Sequence, residues 1–261
     1  MKQNSVFTLF TFGIVLFLFT SCISITHVSG SDGSPGQTGK SGDSRNLKTK
    51  GNGKITTQNR SITGKFDKIE VSSGIEVVVF QQETPLVEVQ TDENIQGIII
   101  TKVENATLII SANGMYNTTN KPFVRVHVPT VSGLKSSSGS EIESGTTLKS
   151  KSLNVVTSSG STITLELEVD SIKLESSSGS DLKVAGKALK VETSSSSGST
   201  IDAGKLIANE VVSQTSSGST TIVYPVNNFI GKASSGGEIK YRSIPKKMDK
   251  SESSGGTITF N

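Results

Sequence analysis

The chain has no tryptophan, and aromatic residues make up only 5% of its 261 positions. That scarcity argues against a conventional globular enzyme built around a large aromatic core. One cysteine is present, so no internal disulfide can form. Histidine occurs twice, as His27 and His127, which leaves little to serve as the base that nucleophilic catalysis requires. An excess of one charge is missing too: 26 Lys and Arg stand against 23 Asp and Glu, for a formal +3. These charges are interspersed rather than gathered into the basic patch of a nucleic-acid binder, and no nucleic acid partner is expected. The apolar run from Val6 to Phe19 is short for a membrane span.

That run belongs instead to a secretory signal. "MKQNSVFTLFTFGIVLFLFTSC" opens with Lys2, continues through the apolar stretch and ends in small residues before Cys22. "FTSC" resembles a bacterial lipobox, with Phe19 where Leu is usual, and makes Cys22 the lipidated first residue of the mature protein. A soluble secreted protein cut nearby is the alternative. Acyl chains contribute roughly 0.8 kcal/mol per buried CH₂, so a multiply acylated cysteine holds firmly to a membrane. Residues 1–21 are therefore expected to be a signal peptide. Residues 22–60, rich in Gly, Ser and Lys and without periodicity, read as a flexible tether with an end-to-end distance on the order of 35 Å.

What the remaining chain has in abundance is a repeat. Gly139, Gly160, Gly179, Gly198, Gly218, Gly236 and Gly255 follow Ser-Ser at intervals of 21, 19, 19, 20, 18 and 19 residues. A period near twenty marks a solenoid. Seven positions before each glycine stand Ser132, Leu153, Ile172, Val191, Val211, Phe229 and Met248. Three after come Ile142, Ile163, Leu182, Ile201, Thr221, Ile239 and Ile258, and five after come Ser144, Leu165, Val184, Ala203, Val223, Tyr241 and Phe260. The residues between them are mostly polar. This in-and-out alternation is that of a β-strand, and a column refilled coil after coil calls for a β-helix rather than a sandwich. Thr221 and Ile222 invert the pattern, which predicts a bulge there.

The serines and glycines read as turn scaffolding. Gly takes positive φ without steric cost, and Ser hydroxyls bond turn backbone or one another. Nucleophilic serines would need a neighbouring base, and His127 sits in an ordinary alternating strand, "VRVHVP". Residues 61–132 are less regular but of the same kind, with their own Ser-Ser-Gly at 72–74. They read as the irregular first coils of the domain 61–261, ahead of the regular repeats of 133–261.

The ordered series "FDKIEVSSGIEVVVFQ", "VEVQTDENI", "VHVPTVSGLKSSSGSEIES" and "ASSGGEIKY" resembles the family called putative auto-transporter adhesin, head GIN domain, a domain of unknown function common in lipoproteins of the Bacteroidetes. The resemblance implies a right-handed parallel β-helix on the cell envelope and brings no catalytic residues with it. The expected function is a non-enzymatic outer-membrane lipoprotein, facing the periplasm or the surface. It would be anchored at Cys22 and would bind glycans or proteins of the envelope or host, with no cofactor or metal. The alternative is a polysaccharide-acting enzyme on the same scaffold. That alternative needs clustered carboxylates, whereas Glu141, Asp181 and Glu238, two residues after their glycines, are spaced at least two coils apart. The terminal coil, "GGTITFN", ends in a strand that would leave an unpaired edge at which a homo-oligomer could form.

Overall fold

The computed structural model describes residues 48–261, and within them every regular element is a strand. In chain order the first nine are β1 (Thr49–Lys50), β2 (Ile55–Asn59), β3 (Lys68–Val71), β4 (Glu76–Gln81), β5 (Leu86–Asp92), β6 (Ile99–Glu104), β7 (Thr107–Ala112), β8 (Tyr116–Asn117) and β9 (Phe123–Val128). Then follow β10 (Gly133–Ser136), β11 (Glu141–Ser144), β12 (Leu148–Thr157), β13 (Thr162–Ser176), β14 (Asp181–Ser195), β15 (Thr200–Thr215), β16 (Thr220–Ala233), β17 (Glu238–Tyr241), β18 (Lys247–Glu252) and β19 (Thr257–Phe260). They wind into a parallel β-solenoid of about seven turns. Each regular coil has one tight corner at its Ser-Ser-Gly and one open bend inside a long strand. The strand segments before the corners stack into one wall, those after the corners into the other, and the core lies between.

The columns read from the sequence face this core. Ile142, Ile163, Leu182, Ile201 and Ile239 are fully buried, as is Thr221, and Ile258 at the end of the stack is 4% exposed. Leu153, Ile172, Val191, Val211 and Phe229 line the opposite wall. Met248 and Phe260, in the last coil, are exposed. The bulge expected at Thr221 and Ile222 is not there: both stay in register with Ile201 and Asp202, and the irregularities fall between Ala203 and Ile207 and between Ala208 and Glu210. Thr221 is inward because its hydroxyl has partners inside, Ser195 Oγ at 2.7 Å and Thr215 Oγ1 at 2.8 Å.

The corners contain four serine environments that the tripeptide hides. In "SSSGS" at 136–140, Ser136 is buried, Ser137 half-buried and Ser138 exposed, and Ser140 beyond the glycine is buried again. Ser138 and Gly139 both take left-handed backbone, φ 55° and 70°, and the Ser140 N–H closes the turn on Ser137 O at 3.2 Å. That is the φ pattern of a type I′ turn. At every later corner the Ser and the Gly repeat it. A side chain at the glycine would meet nothing within 4 Å at six of these seven corners, so glycine is needed there for its φ and not for space. Each glycine N–H then donates to the left-handed serine of the next coil, from Gly139 to Ser159 O at 3.1 Å through Gly236 to Ser254 O at 3.1 Å. Non-glycine residues in this region cost roughly 1–2 kcal/mol each, and the ladder along the stack offsets that cost.

Buried hydroxyls need partners, and here they supply one another. Thr157 Oγ1 bonds Ser161 Oγ at 2.7 Å, and Ser176 Oγ bonds Ser180 Oγ at 3.0 Å. Ser195, Thr215, Ser219 and Thr221 form one connected cluster, and Thr193 donates to Ser213 at 2.7 Å. Thr221→Val refills the aliphatic column yet is expected to destabilise by about 1–3 kcal/mol, because Ser195 and Thr215 each lose a partner away from water. A lower urea midpoint with unchanged m-value is the expected readout. An unchanged or raised midpoint would contradict it.

The N-terminal half departs from simple winding. The β3–β4 coil lies between the β7–β9 coil and the β10–β11 coil, so stacking order is not chain order. Antiparallel strands close the far end: β6 runs along β7, β5 along β9, and β2 along β5. Ile95, from the β5–β6 connection, and Ile99, the first residue of β6, are buried at this end. The tether boundary expected at residue 60 is thereby corrected. β1 pairs with β8, and β2 pairs with β5 from Ile55↔Asp92 to Asn59↔Glu88. Backbone bonding makes this polar segment part of the body, which its composition does not reveal.

At the other end, β18 and β19 pair only inward, with β16 and β17. The last coil places Lys250 and Glu252 where earlier coils have core residues. Lys250 Nζ reaches Tyr241 Oη at 2.8 Å and lies 4.3 Å from the ring centroid, and Glu252 Oε1 accepts the Ile258 N–H at 2.6 Å. Inward-pointing charges of this kind protect an edge against strand addition. The open edge anticipated for a homo-oligomer is thus a guarded one.

Candidate binding surface

Because register is kept through the stack, residues two after each turn glycine form one outward line along the post-corner wall. It runs Glu76, Glu141, Thr162, Asp181, Thr200, Thr220, Glu238 and Thr257, each the register partner of the next, and Phe123, which follows no turn glycine, extends it as the register partner of Glu76. At about 4.8 Å per strand, nine strands give a line roughly 38 Å long. The next outward column, two residues on, holds Glu143, Thr164, Lys183, Asp202, Ile222, Lys240 and Thr259, all half-buried or exposed. The surface is flat, hydroxyl-rich and of mixed charge.

The expectation that acids in this line lie at least two coils apart misses Glu76. It follows Gly74 by two residues, as Glu141 follows Gly139, and the permuted coil order makes the two direct neighbours. The signal was the shared offset; what hid it was the 64 intervening residues. Lys121 sits between the pair, its Nζ 3.0 Å from Glu76 Oε1 and 4.0 Å from Glu141 Oε2. The hydrogen bond to Glu76, ahead of a smaller opposing effect of burial, holds its ammonium above the ordinary lysine value. The triad is a partly exposed ion-paired group. Among the described residues no cluster of three or more His, Cys, Asp or Glu is placed to hold a metal.

The other expected site residues fall as follows. Cys22 and His27 lie outside the described residues. Gly139, Gly160, Gly179, Gly198, Gly218, Gly236 and Gly255 all occupy corners with positive φ. His127 stacks on Phe80 with centroids 4.9 Å apart and shares a 2.7 Å hydrogen bond with Gln82 Oε1. The buried serines Ser161, Ser180 and Ser199 donate to backbone carbonyls at their corners, and no histidine is among their partners.

No curated protein matches the chain significantly. Among solved structures, a putative adhesin from Bacteroides fragilis superposes with a TM-score of 0.74 at 19% identity, over 81% of this chain and 99% of that one. A putative adhesin from Parabacteroides merdae gives 0.66 at 19%, over 82% and 98%. A putative lipid binding protein from Parabacteroides distasonis gives 0.67 at 18%, over 82% and 99%. At these identities the likeness is one of fold. The sequence itself carries the family assignment: the profile described as putative auto-transporter adhesin, head GIN domain, matches residues 65–245, and the chain belongs to that family.

Proposed function

We propose that the protein is a non-enzymatic lipoprotein of the cell envelope. In this reading Cys22 carries the lipid, the segment up to about residue 47 is the tether, and the solenoid binds an extended polymer of the envelope or host along its outward line. The observation that carries the reading is the line itself. A flat ladder of Thr, Asp and Glu at one-strand spacing offers repeated hydrogen-bonding groups to a repetitive ligand, such as a glycan or an extended protein segment, without a deep pocket. Family membership supports the same direction. The test is a binding screen of the full chain against envelope polysaccharides and matrix proteins, paired with protease shaving of intact cells to show which side of the membrane the body faces. Binding to at least one polymer is expected, weakened tenfold or more by Thr200→Lys with Thr220→Lys, which leave the core untouched. No binding across the screen would count against the reading.

The neighbouring carboxylates Glu76 and Glu141 are the one observation that favours the enzymatic alternative, since paired acids are what glycoside hydrolysis uses. Lys121 weighs against it by occupying the space between them. Polysaccharide turnover that disappears in Glu141→Gln would establish the alternative; absence of turnover in the unaltered chain is the expected result.

A further inference from the structure

At the antiparallel end of the solenoid, the connection from β2 to β3 passes over the start of β5 and the end of β9 and leaves a cavity of about 510 Å³. Its size is within the usual range for small-molecule sites. Ile62, Phe66, Leu86, Val87 and Val128 give it an apolar interior, and its only charged lining groups are Arg60 and Lys65. No carboxylate lines it, and neither cation forms an ion pair among the described residues. Arg60 is fixed in place, its Nη2 donating to Gln96 O at 2.7 Å and Gln96 Oε1 at 2.8 Å. Its Nε is shut away from water with no partner. A guanidinium held only by a neutral amide has no counter-charge, and an anionic acceptor in the cavity would supply one.

We infer that this cavity is a binding site for a single-chain amphiphile with a carboxylate head, the alkyl chain lying among Phe66, Leu86 and Val128 and the head between Arg60 and Lys65. A singly charged head suits the site, because Gln96 already occupies part of the guanidinium fork and Lys65 is exposed. The inference deepens the binding reading by naming a second, apolar site, and it holds or fails whether or not the outward line binds a polymer.

The test is calorimetric titration of the full chain carrying Cys22→Ser, so that no acyl group of its own is attached, with dodecanoate, dodecanol, dodecyl phosphate and acetate below micellar concentrations. One dodecanoate per chain is expected, at least tenfold tighter than dodecanol, with acetate undetectable. Lys65→Gln, an exposed change that leaves the fold alone, and Arg60→Gln should each weaken dodecanoate several-fold and leave dodecanol unchanged. Leu86→Trp, which fills the cavity, should abolish both. Equal binding of acid and alcohol would overturn the assignment, as would tighter binding of dodecyl phosphate. So would displacement of dodecanoate as protein concentration rises, which would place a second copy in the cavity. Failure of dodecanoate to bind would overturn it too, leaving the cavity to the chain's own residues 1–47 or to nothing.

Discussion

Ile201→Lys is expected to destabilise the solenoid by about 4 kcal/mol or more, at the upper end of single-substitution effects. Ile201 has no exposed surface and stands between Leu182 and Thr221 in the inner column. An ammonium there would have to give up water with no carboxylate to receive it, or lose its proton at a similar cost. Against a total stability of about 5–15 kcal/mol for a domain, that loss removes much of the folded population. Thr200→Lys, one residue away, points outward beside Asp181 and is expected to change stability by no more than about 0.5 kcal/mol. Urea unfolding of the two variants side by side checks both. Similar effects would mean that the inward and outward assignments are wrong.

The second large effect is expected at Gly186, inside β14 at the open bend of its coil. Its φ is 118°, and a Cβ built there would lie 1.9 Å from the carbonyl oxygen of Leu167, its register partner in β13. Both conformation and space exclude a side chain, and the obstacle is backbone, which cannot swing aside. Gly186→Ala must therefore part the two strands locally, and we expect a loss of about 3–5 kcal/mol, in the class of buried steric and backbone disruptions. Gly179→Ala at a corner meets open space and is expected to cost only about 1–2 kcal/mol, the left-handed penalty alone. Thermal unfolding of the pair should separate them clearly; equal losses would mean that the bend is not where the coils approach most closely.

These two glycines also show what the sequence reveals and what it withholds. Corner glycines such as Gly179 announce themselves because stacking gives each coil the same environment, and equal environments select equal residues at a fixed period. The same logic exposes the columns of Ile201 and Val211. Gly186 serves one coil only, so no period marks it. A lone glycine within a strand run was its sole signal. Thr221 looked like a slip in the pattern because an apolar column was assumed, whereas part of this core is a hydroxyl network whose members Ser195 and Thr215 sit in neighbouring positions. The pairing of Glu76 with Glu141, and with it the acidic end of the outward line, depends on a coil order set by long-range strand pairing, which periodicity does not encode. For Ile55 to Asn59 the folded state is held by backbone bonds to β5, and such bonds leave little trace in side-chain composition.

The solenoid is built of coils that stack in register, with the β3–β4 coil placed between two that follow it in the chain. Cysteine pairs test this most directly, because two Cα atoms more than about 7 Å apart cannot be bridged without moving backbone. In a Cys22→Ser background, Glu76→Cys with Glu141→Cys joins adjacent strands about 4.8 Å apart, and should form a disulfide readily under mild oxidation without loss of stability. Glu76→Cys with Thr162→Cys spans two strand spacings and should stay reduced. Bridging of the distant pair, or failure of the near one, would contradict the stacking order and the outward line built upon it.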